Sequence, residues 1–474
     1  MKYKNYELVA GLETHIELST KTKMFCGCEV SFAGEPNSRT CPVCLGLPGA
    51  LPVINRQAVE YAVMAGLALS CRINNRSYMD RKNYSYPDLP KAYQISQFDV
   101  PLCYEGYVTL SSGKIIRITR IHIEEDAGKL VHNEGETLID YNRCGVPLIE
   151  IVTEPDFSSA EEVREYVEKL QHLMRYIGVS DCRMQEGSMR CDVNVSVKPA
   201  GCDTLGIRTE IKNMNSVANM VRAIEYEYIR QSDALEEGKK VIQETMRFDE
   251  IKGVTIPMRS KEDARDYRFF REPDLLCVSL SDEEIKDIKS RIPVLPEEKI
   301  KVYTEELGLS LTDAQHLVKY RKISEYFDET ARLSPCAKTA AKFIIGQMFS
   351  LFSTEAEKEN FAVKVSPAQL SELVTLLCEK KINSNLAKVT LDKMLSRGKG
   401  AMEFLSEEDM RGFTEEELEL LCEKAIENNP AAVSDYKCGK DKAVMALVGF
   451  VMRESKGRAN ADKAKETLKK LMTD

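Results

Sequence analysis

The stretch Val9–Leu18 places Glu13, His15 and Glu17 on one side and Leu12, Ile16 and Leu18 on the other, the two-residue period of a strand with an apolar back. The alternation returns three times. Ile115–Asp126 ends on His122, Glu124, Glu125 and Asp126; Met189–Val197 interleaves Arg190, Asp192 and Asn194 with apolar residues; Ile207–Lys212 presents Arg208, Glu210 and Lys212. Up to about residue 280, such strands are separated by Gly, Pro and Asn turns, among them Tyr86-Pro87-Asp88-Leu89-Pro90. Two helical periods interrupt them: Ser159–Gly178, opened by a Ser159/Glu162 capping box, and Val217–Glu237. Strands that cluster, without strictly alternating with crossover helices, predict an α+β fold.

Past Leu280 the pattern becomes successive helices, announced by capping boxes at Ser281/Glu284, Thr312/Gln315, Ser366/Gln369 and Thr414/Glu417. Pro293 and Pro296 mark a joint, Pro367 suits the first helical position, and Arg397-Gly398-Lys399-Gly400 reads as a hinge or loop. The C-terminal half is therefore expected to be all-helical. The expected division is 1–292, 293–405 and 406–474.

A chain of 474 residues exceeds one ordinary core. With 30% charged and 43% apolar residues it has the composition of a globular protein, and no apolar run is long enough to span a bilayer. The start, Met-Lys-Tyr-Lys-Asn-Tyr-Glu, lacks the apolar segment of a signal peptide, so a cytoplasmic protein without membrane association is expected. The 15 cysteines, an odd number, suit reduced thiols better than a disulfide framework. The net charge of −9 argues against wholesale coating of nucleic acid, but it hides a gradient. From Lys437 to Asp474, ten lysines and arginines face five acids, so the tail alone seeks anions. Within it Lys440, Lys442, Arg453, Lys456 and Arg458 are candidate phosphate contacts.

Four of the cysteines stand apart. Cys26-Gly-Cys28 and Cys41-Pro-Val-Cys44 have the spacing that closes a tetrahedral zinc site, and with all four ligands supplied by protein the metal would be structural. Chemistry then belongs to the polar strand faces. Glu13, His15, Glu124, Glu125, Asp192 and Glu210 are candidates for a Mg²⁺ site, with His15 pointing to Mn²⁺ as the alternative or to an orienting role. Arg190, Arg208 and Lys212 beside them can neutralise a transferring phosphoryl group, or else pair with acids across a solvated sheet. No phosphate-binding Gly-x-x-x-x-Gly-Lys-[Ser/Thr] loop is present, so any ATP sits on the sheet itself. The run Asp80–Gln97, dense in Tyr, Lys and Arg and including Lys82, suits a nucleotide or an RNA end as well as it suits an ordinary surface loop.

Six runs resemble the B subunit of the aspartyl/glutamyl-tRNA amidotransferases, the GatB family, and the similarity extends over effectively the whole chain. They are Gly-Leu-Glu-Thr-His-Ile-Glu-Leu (11–18), Asp-Arg-Lys-Asn-Tyr (80–84), Pro-Lys-Ala-Tyr-Gln-Ile-Ser-Gln-Phe-Asp (90–99), His-Ile-Glu-Glu-Asp-Ala-Gly-Lys (122–129), Glu-Gly-Ser-Met-Arg-Cys-Asp-Val-Asn (186–194) and Glu-Ile-Lys-Asn-Met-Asn-Ser (210–216). The resemblance implies a cradle domain akin to glutamine synthetase with an antiparallel sheet, then a helical middle and a helical tail of the YqeY type that engages tRNA. It implies conversion of Glu-tRNA(Gln) to Gln-tRNA(Gln), or of Asp-tRNA(Asn) to Asn-tRNA(Asn), with ATP and Mg²⁺. Ammonia would come from an amidase A subunit, and a small C subunit would brace the assembly.

On that pattern Glu13, His15 and Glu125 match the motifs that hold Mg²⁺; Glu124, Asp192, Glu210 and Lys212 extend the catalytic set; and Arg190, Asn194, Arg208 and Lys82 serve the nucleotide. Lys440, Lys442, Lys456 and Arg458 would meet tRNA. The chain shows no plain Ser-cis-Ser-Lys amidase constellation of its own, which fits an ammonia-supplying partner. Two other readings remain: a non-catalytic zinc-containing RNA-binding scaffold, and a ligase acting on free glutamate, against which the basic tail speaks.

Overall fold

The two-residue period of the first strand becomes the central ladder of the computed structural model, which describes residues 5–32, 34–260, 266–411, 414–437, 441–455 and 459–473. The chain divides into a first unit, Met1–Leu295, and a second, Pro296–Asp474. In chain order the strands of the first unit are β1 (Tyr6–Glu17), β2 (Arg72–Ile73), β3 (Arg76–Ser77), β4 (Asp80–Asn83), β5 (Tyr93–Ser96), β6 (Cys103–Thr109), β7 (Ile115–Glu125), β8 (Lys129–Asn133), β9 (Glu136–Asp140), β10 (Pro147–Thr153), β11 (Met189–Pro199), β12 (Thr209–Lys212), β13 (Glu244–Asp249), β14 (Val254–Ser260), β15 (Phe270–Arg271) and β16 (Val278–Ser279). Its helices are α1 (Arg56–Ala68), α2 (Ala160–Tyr176), α3 (Val217–Glu236) and α4 (Asp282–Ser290).

Nine strands form one sheet in the order β14-β13-β12-β11-β1-β10-β7-β6-β2, antiparallel except between β12 and β13. A second sheet, β15-β4-β5, lies close by, and β5 packs against β7. Leu12 and Ile16 of β1, Ile121 and Ile123 of β7, Ile149 and Ile151 of β10 and Val193 and Val195 of β11 share one face and are buried. The helices cover that face. In α2, Val163, Tyr166, Val167, Leu170 and Met174 recur at helical spacing and are buried, each aliphatic contributing on the order of 1.5–3 kcal/mol. The α+β expectation therefore holds, and the other face of the sheet carries the polar side chains.

Ser159 caps α2 by accepting from the Glu162 N–H, but the reciprocal half of the expected box shifts by one residue, because Glu162 accepts from the Ser158 N–H instead. In the second unit, boxes form at Ser366/Gln369 and Thr414/Glu417, as at Ser281/Glu284 ahead of α4. The box expected at Thr312/Gln315 does not form. The helix Leu311–Val318 starts sooner than that box requires, and Ser310 is its cap, accepting from the Asp313 N–H. The second unit is helical and holds two separate cores, one from Tyr303 to Leu405 and one from Leu418 to Met472. The loop expected at Arg397–Gly400 is real: Gly398 ends the helix Ser384–Arg397 at φ +73°, a left-handed conformation that favours glycine. No helix among the described residues is long and apolar enough to cross a membrane.

Candidate active site and cysteine cluster

Strand pairing brings four charged side chains into one row. His15 of β1 lies opposite Glu150 of β10 and Arg190 of β11, and Glu150 lies opposite His122 of β7. His15 Nε2 is 3.3 Å from Glu124 Oε1 and 3.5 Å from Glu150 Oε2, and His122 Nε2 is 3.1 Å from the same Glu150 oxygen. One ligand atom from each of His15, Glu124 and Glu150 falls within 4.8 Å of the others, close enough to share one metal ion. Ser96 of β5 closes the group, its Oγ 3.3 Å from Glu124 Oε2.

The electrostatics of the row favour a cation. Burial alone would lower the His122 imidazole, yet Glu150 and Glu124 overcome it and raise it to about 9. His15 behaves likewise: burial opposes, but the hydrogen bond to Glu150 and the charges of Glu124, Glu150 and Asp192 carry it above its ordinary value. Glu150 and Glu124 lie below the usual carboxylate range, because the two imidazoles outweigh the burial that opposes ionisation. Glu13 goes the other way, raised first by burial and then by Glu150, Glu210 and Asp192 against the opposing charge of Lys212.

Cations flank the row. Lys212 Nζ contacts Asp192 Oδ2 at 2.5 Å and Glu210 Oε1 at 2.8 Å. Arg190 reaches Asp126 at 2.7 Å, and Arg143 binds the other Asp126 oxygen at 2.5 Å as well as Glu17. Burial pushes Glu17 up to about 7 in spite of Arg143. Next to Glu13, whose carboxylate accepts from Asn194 at 3.1 Å, opens a pocket of about 230 Å³ lined also by Gly11, Gly206 and Arg208. The Arg208 side chain is exposed, just ahead of β12, which begins at Thr209 and not at Ile207 as expected.

The sulfur atoms of Cys26, Cys28, Cys41 and Cys44 also lie within 4.8 Å of one another, with Cys41 and Cys44 3.9 Å apart. A tetrahedron of Zn–S bonds has edges of about 3.8 Å, which the Cys41–Cys44 separation matches. Cys44 is held as the thiolate, at about 4, by hydrogen bonding from Cys26 first, then by the Cys41 backbone and the charge of Lys23. The Lys23 side chain is fully buried, and its Nζ lies 3.6 Å from that sulfur. None of the described cysteines is in a disulfide.

Of the residues expected from sequence, His15 and Glu124 meet directly, while Glu13, Asp192, Asn194, Glu210, Lys212 and Arg190 line the same polar face. Glu125 does not join them. It follows Ile121 and Ile123 at the two-residue period, so its carboxylate faces the covered side, where Lys91 Nζ contacts both its oxygens at 2.7 and 2.8 Å and the Ile95 N–H donates at 2.9 Å. The Lys82 Nζ lies 4.9 Å from the Tyr267 ring. Lys442 is exposed, whereas Lys440, Lys456 and Arg458 lie outside the described residues. Sequence reasoning missed Glu150. Its only signal was a single acid inside the apolar run Pro-Leu-Ile-Glu-Ile-Val-Thr, a residue that has no reason to be there unless something cationic meets it.

Comparison with known proteins adds names to this geometry. A family model described as the GatB/GatE catalytic domain matches residues 8–286, and a second, described as the GatB domain, matches 325–472. Proteins named as the B subunit of aspartyl/glutamyl-tRNA(Asn/Gln) amidotransferase are similar along nearly the whole chain. Those of Caldicellulosiruptor saccharolyticus and Caldicellulosiruptor bescii are 50% identical over 472 and 473 residues, and that of Thermoanaerobacter sp. strain X514 is 49% identical over 469; in each case 98% of both chains is covered.

Proposed function

The chain belongs to the GatB family, and from that premise we propose that it is the B subunit of a tRNA-dependent amidotransferase, a ligase of protein biosynthesis that amidates the side-chain carboxylate of Glu-tRNA(Gln), Asp-tRNA(Asn) or both. The observation that carries the site assignment is the convergence of His15, Glu124 and Glu150 beneath flanking cations, on a face that also opens into the Glu13–Asn194–Arg208 pocket. A scaffold whose acids merely solubilise a sheet would expose them; here Glu124 is 2% exposed.

A carboxylate is a poor electrophile, so ATP first phosphorylates it, and ammonia then displaces phosphate from the acyl phosphate. Arg208 and Asn194 line the pocket that receives the nucleotide, and Glu13 orients Asn194 there. Lys212, held in place by Asp192 and Glu210, presents a fixed ammonium toward the negative charge of the transferring group. His15, Glu124 and Glu150 would hold a divalent cation, Mg²⁺ by the hardness of the carboxylates or Mn²⁺ by the imidazole, and it would neutralise phosphate charge during transfer. An amidase A subunit supplies the ammonia in this reading, and a small C subunit completes the assembly. The four cysteines would hold a structural Zn²⁺, with the Lys23 ammonium offsetting part of the thiolate charge.

The test is Glu150→Gln and His15→Ala in the complete complex, following ATP consumption that depends on charged Glu-tRNA(Gln). Both should fall at least a hundred-fold while the circular dichroism spectrum is preserved. Turnover within a factor of three of the unaltered protein would remove the site assignment.

A further inference from the structure

Residues 139–145 are tied on one side to the loop that carries Cys41 and Cys44, and on the other to the polar face of the large sheet. Two asparagines make the first tie. The Asn37 side chain donates to the Ile139 carbonyl at 2.9 Å and accepts from the Tyr141 N–H at 2.7 Å, while its own N–H donates to Asp140 Oδ1 at 2.9 Å. Asn37 sits at φ +59°, a left-handed conformation in which asparagine is enriched. Asn142 returns the contact, accepting from the Arg39 N–H at 2.8 Å and donating to the Glu35 carbonyl at 2.7 Å. Lys23 joins the two pieces as well: its Nζ donates to the Tyr141 carbonyl at 3.2 Å and lies 3.6 Å from Cys44 Sγ. The Cys144 thiol donates to the Cys44 carbonyl at 3.5 Å.

Arg143 makes the second tie. Its Nε donates to Asp126 Oδ2 at 2.5 Å, and its Nη2 donates to Glu17 and, at 2.6 Å, to the Gly187 carbonyl. Glu17 ends β1, Asp126 follows β7, and Gly187 belongs to the turn ahead of β11, so one guanidinium joins the three strands that carry His15, Glu124 and Arg190. Gly187 is at φ +79°, and a Cβ there would stand 3.0 Å from the Arg143 guanidinium, so this close approach needs glycine. Asp126 passes the constraint on. It is buried, and its other oxygen accepts from Arg190 Nη2 at 2.7 Å, with Arg190 directly opposite His15 in the β1–β11 ladder. A planar guanidinium with several fixed donors sets such geometry where a flexible ammonium would not.

We propose that Arg143 is a positioning residue of the transfer reaction and that the cysteine-bearing loop sets it: the loop holds residues 139–145, Arg143 holds Asp126, and Asp126 aims Arg190 at the His15 row. This rests on the function proposed above and gives the loop a bearing on rate through protein groups alone. Misplacing a group near the chemistry by about 1 Å is enough to cost on the order of a hundred-fold in rate. Arg143 acts through Asp126 and Arg190, so its loss should fall on kcat.

The test is a double-mutant cycle in the complete complex, read as ATP consumption with charged Glu-tRNA(Gln). Arg143→Met should lower kcat about ten- to a hundred-fold, with the KM for ATP and for charged tRNA each within about three-fold. Asn142→Ala removes two loop contacts and no group from the polar face. It should lower kcat about three-fold or more in the unaltered protein, but by less than about 1.5-fold on top of Arg143→Met, because the loop acts through that side chain. Melting temperatures of the complexes report folding separately, and if Arg143→Met does not assemble the cycle is run on Arg143→Lys. An effect of Asn142→Ala that is absent, or equal in both backgrounds, overturns the coupling. An unchanged kcat for the Arg143 variant, or a loss confined to KM, overturns the positioning role. Failure of the underlying function looks different: the unaltered complex would consume no ATP with charged tRNA, whatever stands at Arg143.

Discussion

Glu124 and Glu125 are adjacent and chemically identical, yet β7 sends one to the imidazoles and the other to a lysine. Glu125 is 2% exposed and the Lys91 side chain 9%, so the pair is buried and each charge depends on the other. Removing one member of such a pair strands the other in the interior and typically costs about 3–5 kcal/mol. Glu125→Gln should therefore lower the denaturant midpoint of the first unit without removing a group from the His15–Glu124–Glu150 row, and the double change Glu125→Leu with Lys91→Met should recover much of the loss. A Glu125→Gln variant as stable as the unaltered protein would show that the pair has no structural weight. The family likeness gave the metal to Glu125 and left Glu124 as an extension, whereas it is Glu124 that meets His15 and Glu150. The alternation that identified β7 could have separated them, because residues 122 and 124 share a face and 125 cannot.

Elements show the same mixture of what local signals decide and what neighbours decide. Ser281, Ser366 and Thr414 cap their helices as the box pattern predicts, because both halves of a box lie within one turn and need nothing from the rest of the chain. The Thr312/Gln315 box lost to Ser310/Asp313, an equally short signal two residues earlier. Strand β10 is harder to read, because its flanks β1 and β7 supply the reason for Glu150 and neither is near it in sequence. One contact between elements of the second unit has a measurable pH signature. Tyr320 donates to Glu355, and that hydrogen bond, with Lys319 next, holds the Glu355 carboxyl near 2. A depressed folded pKa gives stability that is complete above the ordinary carboxyl value and is lost as pH falls toward 2. Tyr320→Phe should thus lower the melting temperature at pH 7, with the gap to the unaltered protein narrowing below about pH 4.5. Because Glu355 is largely exposed, the effect should stay under about 1 kcal/mol. A gap that is constant from pH 7 to pH 3 would assign the loss to packing instead.

At the scale of the whole molecule, we propose a division of work in which the acidic sheet acts on one carboxylate and the basic tail meets the phosphates of the tRNA. A truncation after Asp435 would be a poor test of that division. Leu418 and Cys422 pack in one core with Leu447, Val451 and Leu468, so the cut would strip their partners and confuse lost binding with lost folding. Charge removal takes none of the apolar members out of that core. Lys440, Lys442, Lys456 and Arg458 changed together to glutamine should weaken tRNA binding at low salt and flatten its salt dependence by about one unit of log–log slope for each phosphate no longer neutralised. Turnover at saturating tRNA should not change, because none of the four belongs to the His15 row. A salt slope equal to that of the unaltered complex would mean that the positive charge of the tail meets no phosphate, and that the RNA is held by its 3′ end and by the partner subunits instead.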